Sequence, residues 1–326
     1  MNTFYPIKFQ PILKDKIWGG SRLKNILNKA TGSDKCGESW EISAVQGNLS
    51  IVKNGYLTGN NLQEIIEVYM GDLVGDKIYS LYGIEFPLLI KFIDANDILS
   101  VQVHPDDELA KMRHNAYGKT EMWYVVEAEK DAELISGFNR ELDRETYLRH
   151  LQSKTLKEIL NYEKVRKGDV FFTPAGRVHA VGAGILLAEI QQTSDITYRI
   201  YDWDRLDDKG YPREMHTELA LDALDFKYYD KYRTDYEAVM NLTTIIADCK
   251  YFTTGLLLFD QPVEKDYNFI DSFVIYMCLE GRINIFYGNN MSEEITKGES
   301  VLIPASLKNI TLVPAGQAKT LEVYVK

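Results

Sequence analysis

Cysteine and long apolar runs are scarce in this sequence of 326 residues. The three cysteines, Cys36, Cys249 and Cys278, are odd in number and form no Cys-x-x-Cys pair, so we expect reduced core thiols without disulfides. The longest stretch of near-membrane character, Val178–Ala188, contains a histidine and two glycines and is too short to span a bilayer. The opening residues lack a basic region followed by an apolar one, so no secretory signal is predicted and we expect a cytoplasmic protein.

Positive charge is also in short supply. Lysine and arginine total 37 against 48 aspartates and glutamates, which gives a net charge of −11 at pH 7. This balance argues against a protein that binds nucleic acid through a broad basic surface. It does not exclude a small anionic ligand, because such a ligand needs only local positive charge.

Apolar residues make up 45% of the sequence, which is typical of a globular protein. At about 150 residues per domain, the length favours two domains and allows a large core. Short apolar runs recur between Gly, Asn, Asp and Pro about every ten residues, which is typical of an all-β sandwich or barrel. The strands predicted from these runs are Phe86–Ile90, Ile98–His104, Glu121–Glu127, Asp169–Thr173, Ile185–Ile190, Ile196–Tyr201, Leu242–Ala247, Thr254–Phe259, Phe273–Leu279, Arg282–Tyr287, Ser300–Pro304 and Thr320–Val325.

Few helices are predicted. Asn61–Glu64 has the pattern of a capping box, and Gly71 would end the helix that it begins. Thr155–Glu158 has the same pattern, within a polar stretch from 139 to 164 that predicts one or two helices. His216–Lys227 predicts a third helical segment, with its apolar residues on one face.

One internal repeat indicates how the chain is organised. Lys167–His179 aligns with Lys297–Asn309, with Lys, Gly, an acid, Pro and Ala at matching places. The two halves therefore look like copies of one small β-barrel, with a boundary in the polar stretch Tyr228–Ala238. Asn309 stands where the first copy has His179, which predicts that only the first copy carries the chemistry.

Polar side chains on two predicted strands suggest a metal site. Ser100, Gln102 and His104 alternate along one strand and would share a face, while Glu121 shares a face with large apolar residues. Buried polar groups need partners, and a metal ion could bind Gln102, His104, Glu121 and, after a turn, His179. Two imidazoles, a carboxylate and an amide oxygen suit Zn²⁺ or a similar divalent ion.

A lone histidine on a strand is more often a satisfied core or surface residue than a ligand. We interpret His114, His150 and His216 in that way, although His216 could border the site.

The motifs around these residues resemble known ones. Gly168-x5-Pro174-x-Gly176-x2-His179 resembles the second cupin motif, and Gln102-x-His104 followed by Glu121 looks like the first, with Gln in place of its first His. The wider context resembles type I mannose-6-phosphate isomerase, short bacterial form, in co-linear blocks. These blocks are Trp18–Gly20, Gly37–Ser43, Phe86–Ala95, Leu99–Asp107, Gly118–Tyr124 and Glu189–Arg205.

The resemblance implies a mainly β fold of two cupin-type jelly-roll barrels with a few short helices. Residues 1–233 would form the metal-binding catalytic domain, and residues 234–326 a degenerate cupin domain without metal ligands. It further implies one Zn²⁺ per chain on Gln102, His104, Glu121 and His179. The partner would be a small phosphorylated sugar, with no nucleic acid and no membrane, and the oligomeric state stays open.

The implied reaction interconverts mannose 6-phosphate and fructose 6-phosphate through a cis-enediol. The resemblance places Arg199, Lys91, Lys119 and Asp195 in the site, and Ser100 near the substrate phosphate. Lys119 is a candidate acid/base and Asp195 a candidate for ring opening, while the always-charged Arg199 would stabilise charge or position substrate. The general base is not chosen by the sequence.

Each of these residues has a structural alternative. Lys91 could be a surface lysine whose stem covers apolar residues, and Lys119 a solvated turn residue. Arg199 could form an ion pair with Asp202 or Asp204.

Two other functions compete for the whole chain. It could be a non-catalytic sugar-binding protein with two cupin domains, which the retained first-barrel ligands disfavour. It could also be another metal-dependent cupin enzyme such as an iron dioxygenase, which Gln102, Lys119 and Arg199 disfavour.

Overall fold

The fold is mainly β, as predicted, with 41% of the residues in strands and 17% in helices. The computed structural model describes residues 4–207 and 209–326. Within these residues the strands, β1 to β24 in chain order, are Ile7–Lys8, Ile12–Gly20, Cys36–Ile42, Ala44–Val45, Asn48–Leu49, Leu88–Ala95, Val101–Val103, Glu121–Ala128, Glu133–Phe138, Leu160–Lys164, Val170–Thr173, His179–Ala180, Ile185–Gln192, Tyr198–Tyr201, Arg233–Thr234, Thr243–Asp248, Thr253–Phe259, Val263–Asp266, Val274–Glu280, Arg282–Tyr287, Met291–Thr296, Ser300–Ile303, Asn309–Pro314 and Ala318–Tyr324.

Helices are short and lie between the strands. In the described residues, α1 to α6 are Arg22–Asn25, Leu62–Val74, Asp76–Tyr82, Asp107–His114, Arg144–Gln152 and Thr217–Ala223, with 3-10 turns at Gly55–Leu57 and Leu156–Glu158. No described helix is long and apolar enough to cross a membrane.

Two sheets enclose the region that the sequence marks as functional. One has seven strands in the order β15-β11-β8-β13-β6-β3-β2, and the other has five in the order β10-β9-β12-β7-β14. They face each other across an apolar cluster that includes Trp123 and Leu187 from the first sheet and Leu134 from the second. The polar residues of both inward faces are therefore brought together in the space between the sheets.

The C-terminal part repeats this two-layer arrangement. A six-stranded sheet, β1-β22-β19-β24-β17-β16, faces a four-stranded sheet, β18-β23-β20-β21. The six-stranded sheet also packs against the outer face of the seven-stranded one, through a core that contains Met122, Ile190, Ile275 and Leu321. Because Ile7–Lys8 pairs with β22, the first strand of the chain lies in the C-terminal sheet.

The internal repeat adopts the same local structure in both places. Gly168 and Gly298 have φ values of 92° and 87°, which glycine adopts without strain, and each is the last residue of the turn that precedes an aligned strand, β11 or β22. Their N–H groups donate to Val125 and Cys278 at 2.9 and 2.8 Å. The aligned segments thus match in backbone hydrogen bonding as well as in sequence.

Two of the predicted helix signals have different outcomes. The Asn61 side chain accepts from the Glu64 N–H at 3.0 Å and Glu64 Oε2 accepts from the Asn61 N–H at 2.8 Å, so that capping box is confirmed. Its helix is broken at Met70, one residue before the predicted end, where φ is 46°. The capping box at Thr155 is wrong: its hydroxyl bonds His150 Nδ1 at 2.8 Å, and only a 3-10 turn follows.

Other predicted boundaries are corrected by long-range contacts. The helix expected from 216 to 227 stops at Ala223, because the chain then extends and the Asp225 N–H donates to the Gly176 carbonyl at 2.8 Å. The polar stretch 139–164 ends in a strand that pairs with β9. The three cysteines are free thiols as expected, although Cys249 is only half-buried.

The shared core between the two parts predicts a large loss of stability when it is opened. Ile275→Ala removes a side chain that is 0% exposed, and we expect the free energy of unfolding to fall by about 2–5 kcal/mol in urea denaturation. Ile245→Ala in the edge strand of the same sheet is the control, because Ile245 is 50% exposed. Equal losses in the two variants would contradict this packing.

Candidate metal centre

A cross-strand row on the five-stranded sheet brings three predicted site residues together. Gln102 on β7 lies opposite His179 on β12 and opposite Arg199 on β14. Val101 and Val103 point to the other side, into an apolar cluster. The alternation predicted for this strand is therefore confirmed, because residues two apart share a face.

The facing row, on the seven-stranded sheet, carries buried charges. Lys91 on β6 lies opposite Glu189 on β13, which in turn lies opposite Trp123 on β8. Lys91 Nζ is 2.9 Å from Glu189 Oε2, and Trp123 Nε1 donates to Glu189 Oε1 at 3.0 Å. Lys91 is 5% exposed, so the alternative of a solvated surface lysine is wrong.

His104, Glu121 and His179 form a buried cluster where the two sheets meet. Glu121 Oε1 is 3.3 Å from His179 Nε2, and Glu121 Oε2 is 3.5 Å from His104 Nε2. One ligand atom from each residue lies within 4.8 Å of the others. His104 Nε2 and both carboxylate oxygens are buried without a hydrogen-bond donor or acceptor as partner. Buried atoms of this kind need a partner, which a metal ion can supply.

The backbone orients both imidazoles for metal binding. His104 Nδ1 is 2.9 Å from the Ile196 carbonyl, and His179 Nδ1 is 2.9 Å from the Arg177 carbonyl. Because a carbonyl only accepts, each Nδ1 carries the hydrogen and each Nε2 presents a lone pair to the cluster. The Gln102 amide lies 3.2 Å from His179 Nε2, and a half-turn of the amide places its oxygen there.

Burial also favours the protonation states that a metal ion requires of the histidines. It lowers the pKa of His104 well below its usual value and that of His179 to about 4, so both rings are neutral at pH 7. Burial, with the nearby charge of Glu189, raises the pKa of Glu121 to about 8. A divalent cation would compensate this carboxylate, so the donor set fits such an ion.

A cavity of about 400 Å³ lies next to this cluster, between the two sheets. Several predicted site residues line it: Lys91, Ser100, Gln102, Lys119, Asp195 and Arg199. Lys119 is 5% exposed and its Nζ is 3.6 Å from Glu121 Oε2, so the alternative of a solvated turn residue is wrong. Burial lowers the pKa of Lys119, with Glu121 partly opposing that shift.

Arg199 is not used in the ion pair considered from sequence. The Asp202 carboxylate instead accepts from Arg205 Nη2 at 2.8 Å and from Arg213 Nε at 2.7 Å, and Asp204 accepts from the Tyr201 hydroxyl. Arg199 Nη1 donates to the Glu214 carbonyl at 2.7 Å, while its Nε is buried without an acceptor among the described residues. Its guanidinium is thus held at the cavity wall with the Nε hydrogen left to bind a ligand.

Sequence reasoning missed several charged residues of this cavity. Glu189 was assigned no role, and its signal was a carboxylate in the otherwise apolar run Ile185–Ile190. Lys14, Lys16, Glu38 and Arg213 also line the cavity. Their proximity follows from strand pairing that no local motif encodes.

The remaining histidines have structural partners. His114 Nε2 is 2.7 Å from the Tyr198 hydroxyl, and His150 Nδ1 bonds Thr155. His216 Nδ1 accepts from the Arg199 N–H at 3.2 Å, so it supports the strand that carries Arg199.

A mainly β fold with a buried His–Glu–His cluster beside a polar cavity defines the class: a β protein with a potential metal centre. The model of the type I phosphomannose isomerase catalytic domain matches residues 7–136. A mannose-6-phosphate isomerase of Bacillus subtilis is 35% identical over 95% of this chain and 96% of its own length. One from Streptococcus mutans is 34% identical over 93% and 94%.

The solved structure of the mannose 6-phosphate isomerase from Bacillus subtilis superposes with a TM-score of 0.89 at 31% identity, covering 98% of this chain and 99% of that one. The chain belongs to the type I mannose-6-phosphate isomerase family and is an isomerase of that type.

The cluster predicts loss of metal binding when one imidazole is removed. We expect the protein, stripped with chelator and titrated with a divalent ion, to bind one ion per chain, and His179→Ala to bind far less, because a buried ligand is lost. His150→Ala is the control, since its imidazole bonds Thr155 outside the cavity. Wild-type stoichiometry in His179→Ala would rule out this site.

Proposed function

We propose that the protein interconverts mannose 6-phosphate and fructose 6-phosphate in a zinc-dependent reaction. The observation that carries this proposal is the set of unpartnered buried atoms on His104 and Glu121 beside a cavity lined by Lys119 and Arg199. A small phosphorylated sugar fits a cavity of about 400 Å³ with cationic side chains. The names of the relatives support the same substrate class.

Gln102, His104, Glu121 and His179 would hold one Zn²⁺ per chain. When bound there, the ion would supply positive charge next to the oxygens that become negative in the transition state. The chemistry of the four donors supports zinc over calcium or magnesium, which prefer oxygen ligands only.

The chain's own residues must move a proton between C2 and C1 of the open-chain sugar, and another between its two oxygens. Lys119 is a candidate for this transfer, because its amine is buried at the cavity wall with a lowered pKa. Glu189 is an alternative base, because Lys91 and Lys119 outweigh the effect of burial and lower its pKa, which keeps it ionised. Lys91 would then both neutralise Glu189 and contact substrate oxygens.

The remaining residues are assigned to substrate binding and charge stabilisation. Arg199, with its free Nε, would stabilise developing negative charge or hold the substrate. Ser100 would contact the phosphate. Asp195 is exposed at the cavity, where it would assist ring opening by taking or giving a hydroxyl proton.

We further propose two cupin-type domains, residues 1–233 with the metal centre and residues 234–326 without ligands. The repeated turn and strand, with Gly168 and Gly298 in equivalent places, support this division. The strand Ile7–Lys8, although it belongs to residues 1–233, pairs with β22 in the sheet of the second domain.

The proposed reaction predicts dependence on both metal and Lys119. In a coupled assay for fructose 6-phosphate, chelation should abolish turnover and Zn²⁺ should restore it. Lys119→Ala should lower kcat by about 10²- to 10⁴-fold with zinc still bound, because a proton-transfer group is lost. Lys130→Ala is the control, because Lys130 is exposed in a turn and does not line the cavity.

A second variant, at a proposed metal ligand, separates metal binding from proton transfer. His104→Ala should lose zinc and turnover together, whereas Lys119→Ala loses turnover alone. If zinc-loaded wild-type protein turns over no hexose phosphate, the proposal is wrong and a sugar-binding protein is favoured. Oxygen consumption with Fe²⁺ in place of isomerisation would favour the dioxygenase alternative.

A further inference from the structure

Tyr251, in the turn between β16 and β17, contacts the N-terminal part of the chain. Its hydroxyl donates to Asp107 Oδ2 at 2.6 Å. Asp107 is the first residue of α4, which follows His104 closely in sequence. Lys250 also lies near the same oxygen, at 3.5 Å, but its side chain is 78% exposed and adds little.

The other oxygen of Asp107 holds the loop that carries Lys119. Asp107 Oδ1 accepts from the Gly118 N–H at 3.1 Å and from Gln192 Nε2 at 2.9 Å. Gln192 Oε1 in turn accepts from the Thr120 N–H at 2.9 Å. With the Lys119 N–H bonded to the Pro105 carbonyl at 3.1 Å, three successive amides around Lys119 are fixed.

The backbone of the loop 118–120 packs closely against the first residue of α4, Asp107. A Cβ added to Gly118 would lie 2.6 Å from the Asp107 nitrogen, a distance that real Cβ contacts do not show. The loop therefore rests directly on the beginning of α4. A shift of the Asp107 carboxylate would be transmitted to Gly118, and from there to Lys119.

We propose that Tyr251 is a positioning residue for the isomerisation: through Asp107 it fixes the loop 118–120 and so places the Lys119 side chain at the cavity. This inference rests on the proposed function of Lys119. Through Tyr251, the C-terminal β region would help to order the active site without supplying a proposed metal ligand. A reacting group that is displaced from its productive geometry slows the chemical step. We therefore expect a larger effect on kcat than on the affinity for substrate.

The test is Tyr251→Phe, which removes one hydroxyl and little else. We expect kcat to fall by about threefold to tenfold, the size that corresponds to the loss of one hydrogen bond, while KM changes less than twofold. Zinc content and the urea midpoint should match those of Tyr236→Phe. Tyr236 is the matched control because its hydroxyl also contacts the N-terminal part, at the Gly168 carbonyl, away from Lys119.

Two further measurements isolate the route through Asp107. The peptide containing Gly118–Thr120 should exchange its amide hydrogens faster in Tyr251→Phe than in Tyr236→Phe. In an Asp107→Ala background, Tyr251→Phe should have no further effect on kcat, because the hydroxyl acts only through that carboxylate.

Unchanged kcat in Tyr251→Phe, or a loss equal to that of Tyr236→Phe, would overturn the proposal. So would unchanged amide exchange around Lys119, whatever the kinetics. If wild-type protein with zinc interconverts no hexose phosphate, the proposed function fails, and the exchange measurement still decides whether Tyr251 orders the loop.

Discussion

The charges buried between the two facing sheets constrain the rest of the site. Lys91, Glu189, Lys119 and Glu121 are each at most 5% exposed, and a lone charge in such surroundings costs several kcal/mol. Lys91 pairs with Glu189, and Lys119 lies 3.6 Å from Glu121, so each group is tolerated only while its neighbour stays in place. This balance depends on strand register, because a slip of one residue would turn Lys91 to the opposite face of the sheet.

Charge balance also explains how an acidic protein can accept an anionic substrate. With Glu121 deprotonated, as a metal ligand must be, the two lysines and two glutamates sum to zero and the two neutral imidazoles add nothing. A divalent cation at this cluster would leave a net positive charge beside the cavity, to which Arg199 contributes further. The total charge of −11 is carried elsewhere and says little about this local field.

The parts of the site that follow local rules could be predicted from the sequence. Period-2 alternation placed Gln102 and His104 on one face, and His179 was expected after the turn Pro174–Gly176. Glu189 was missed because its importance comes from lying opposite Lys91, and cross-strand register is not encoded by either strand alone. Thr155 failed as a helix cap for a similar reason: the residues after it are drawn into pairing with β9, which outweighs a local capping pattern.

The second β region differs from the first at the positions of the candidate metal ligands. Tyr276 lies opposite Glu322 there, as Trp123 lies opposite Glu189, so the two carboxylates occupy equivalent places. Glu322 is saturated, accepting from Thr243 at 2.8 Å and pairing with Lys265 at 2.7 Å.

Two residues before Tyr276 stands Val274, where the first region has Glu121, and exposed Asn309 stands in place of buried His179. The second region therefore retains a buried ion pair of the kind formed by Lys91 and Glu189, but Val274 and Asn309 stand in place of the carboxylate of Glu121 and the imidazole of His179. Both Glu322 oxygens have hydrogen-bond donors, from Thr243 and Tyr267, whereas a metal centre requires polar atoms left without a protein partner. Loss of Glu121 and His179 equivalents thus removes the energetic need for a metal ion without disturbing the fold.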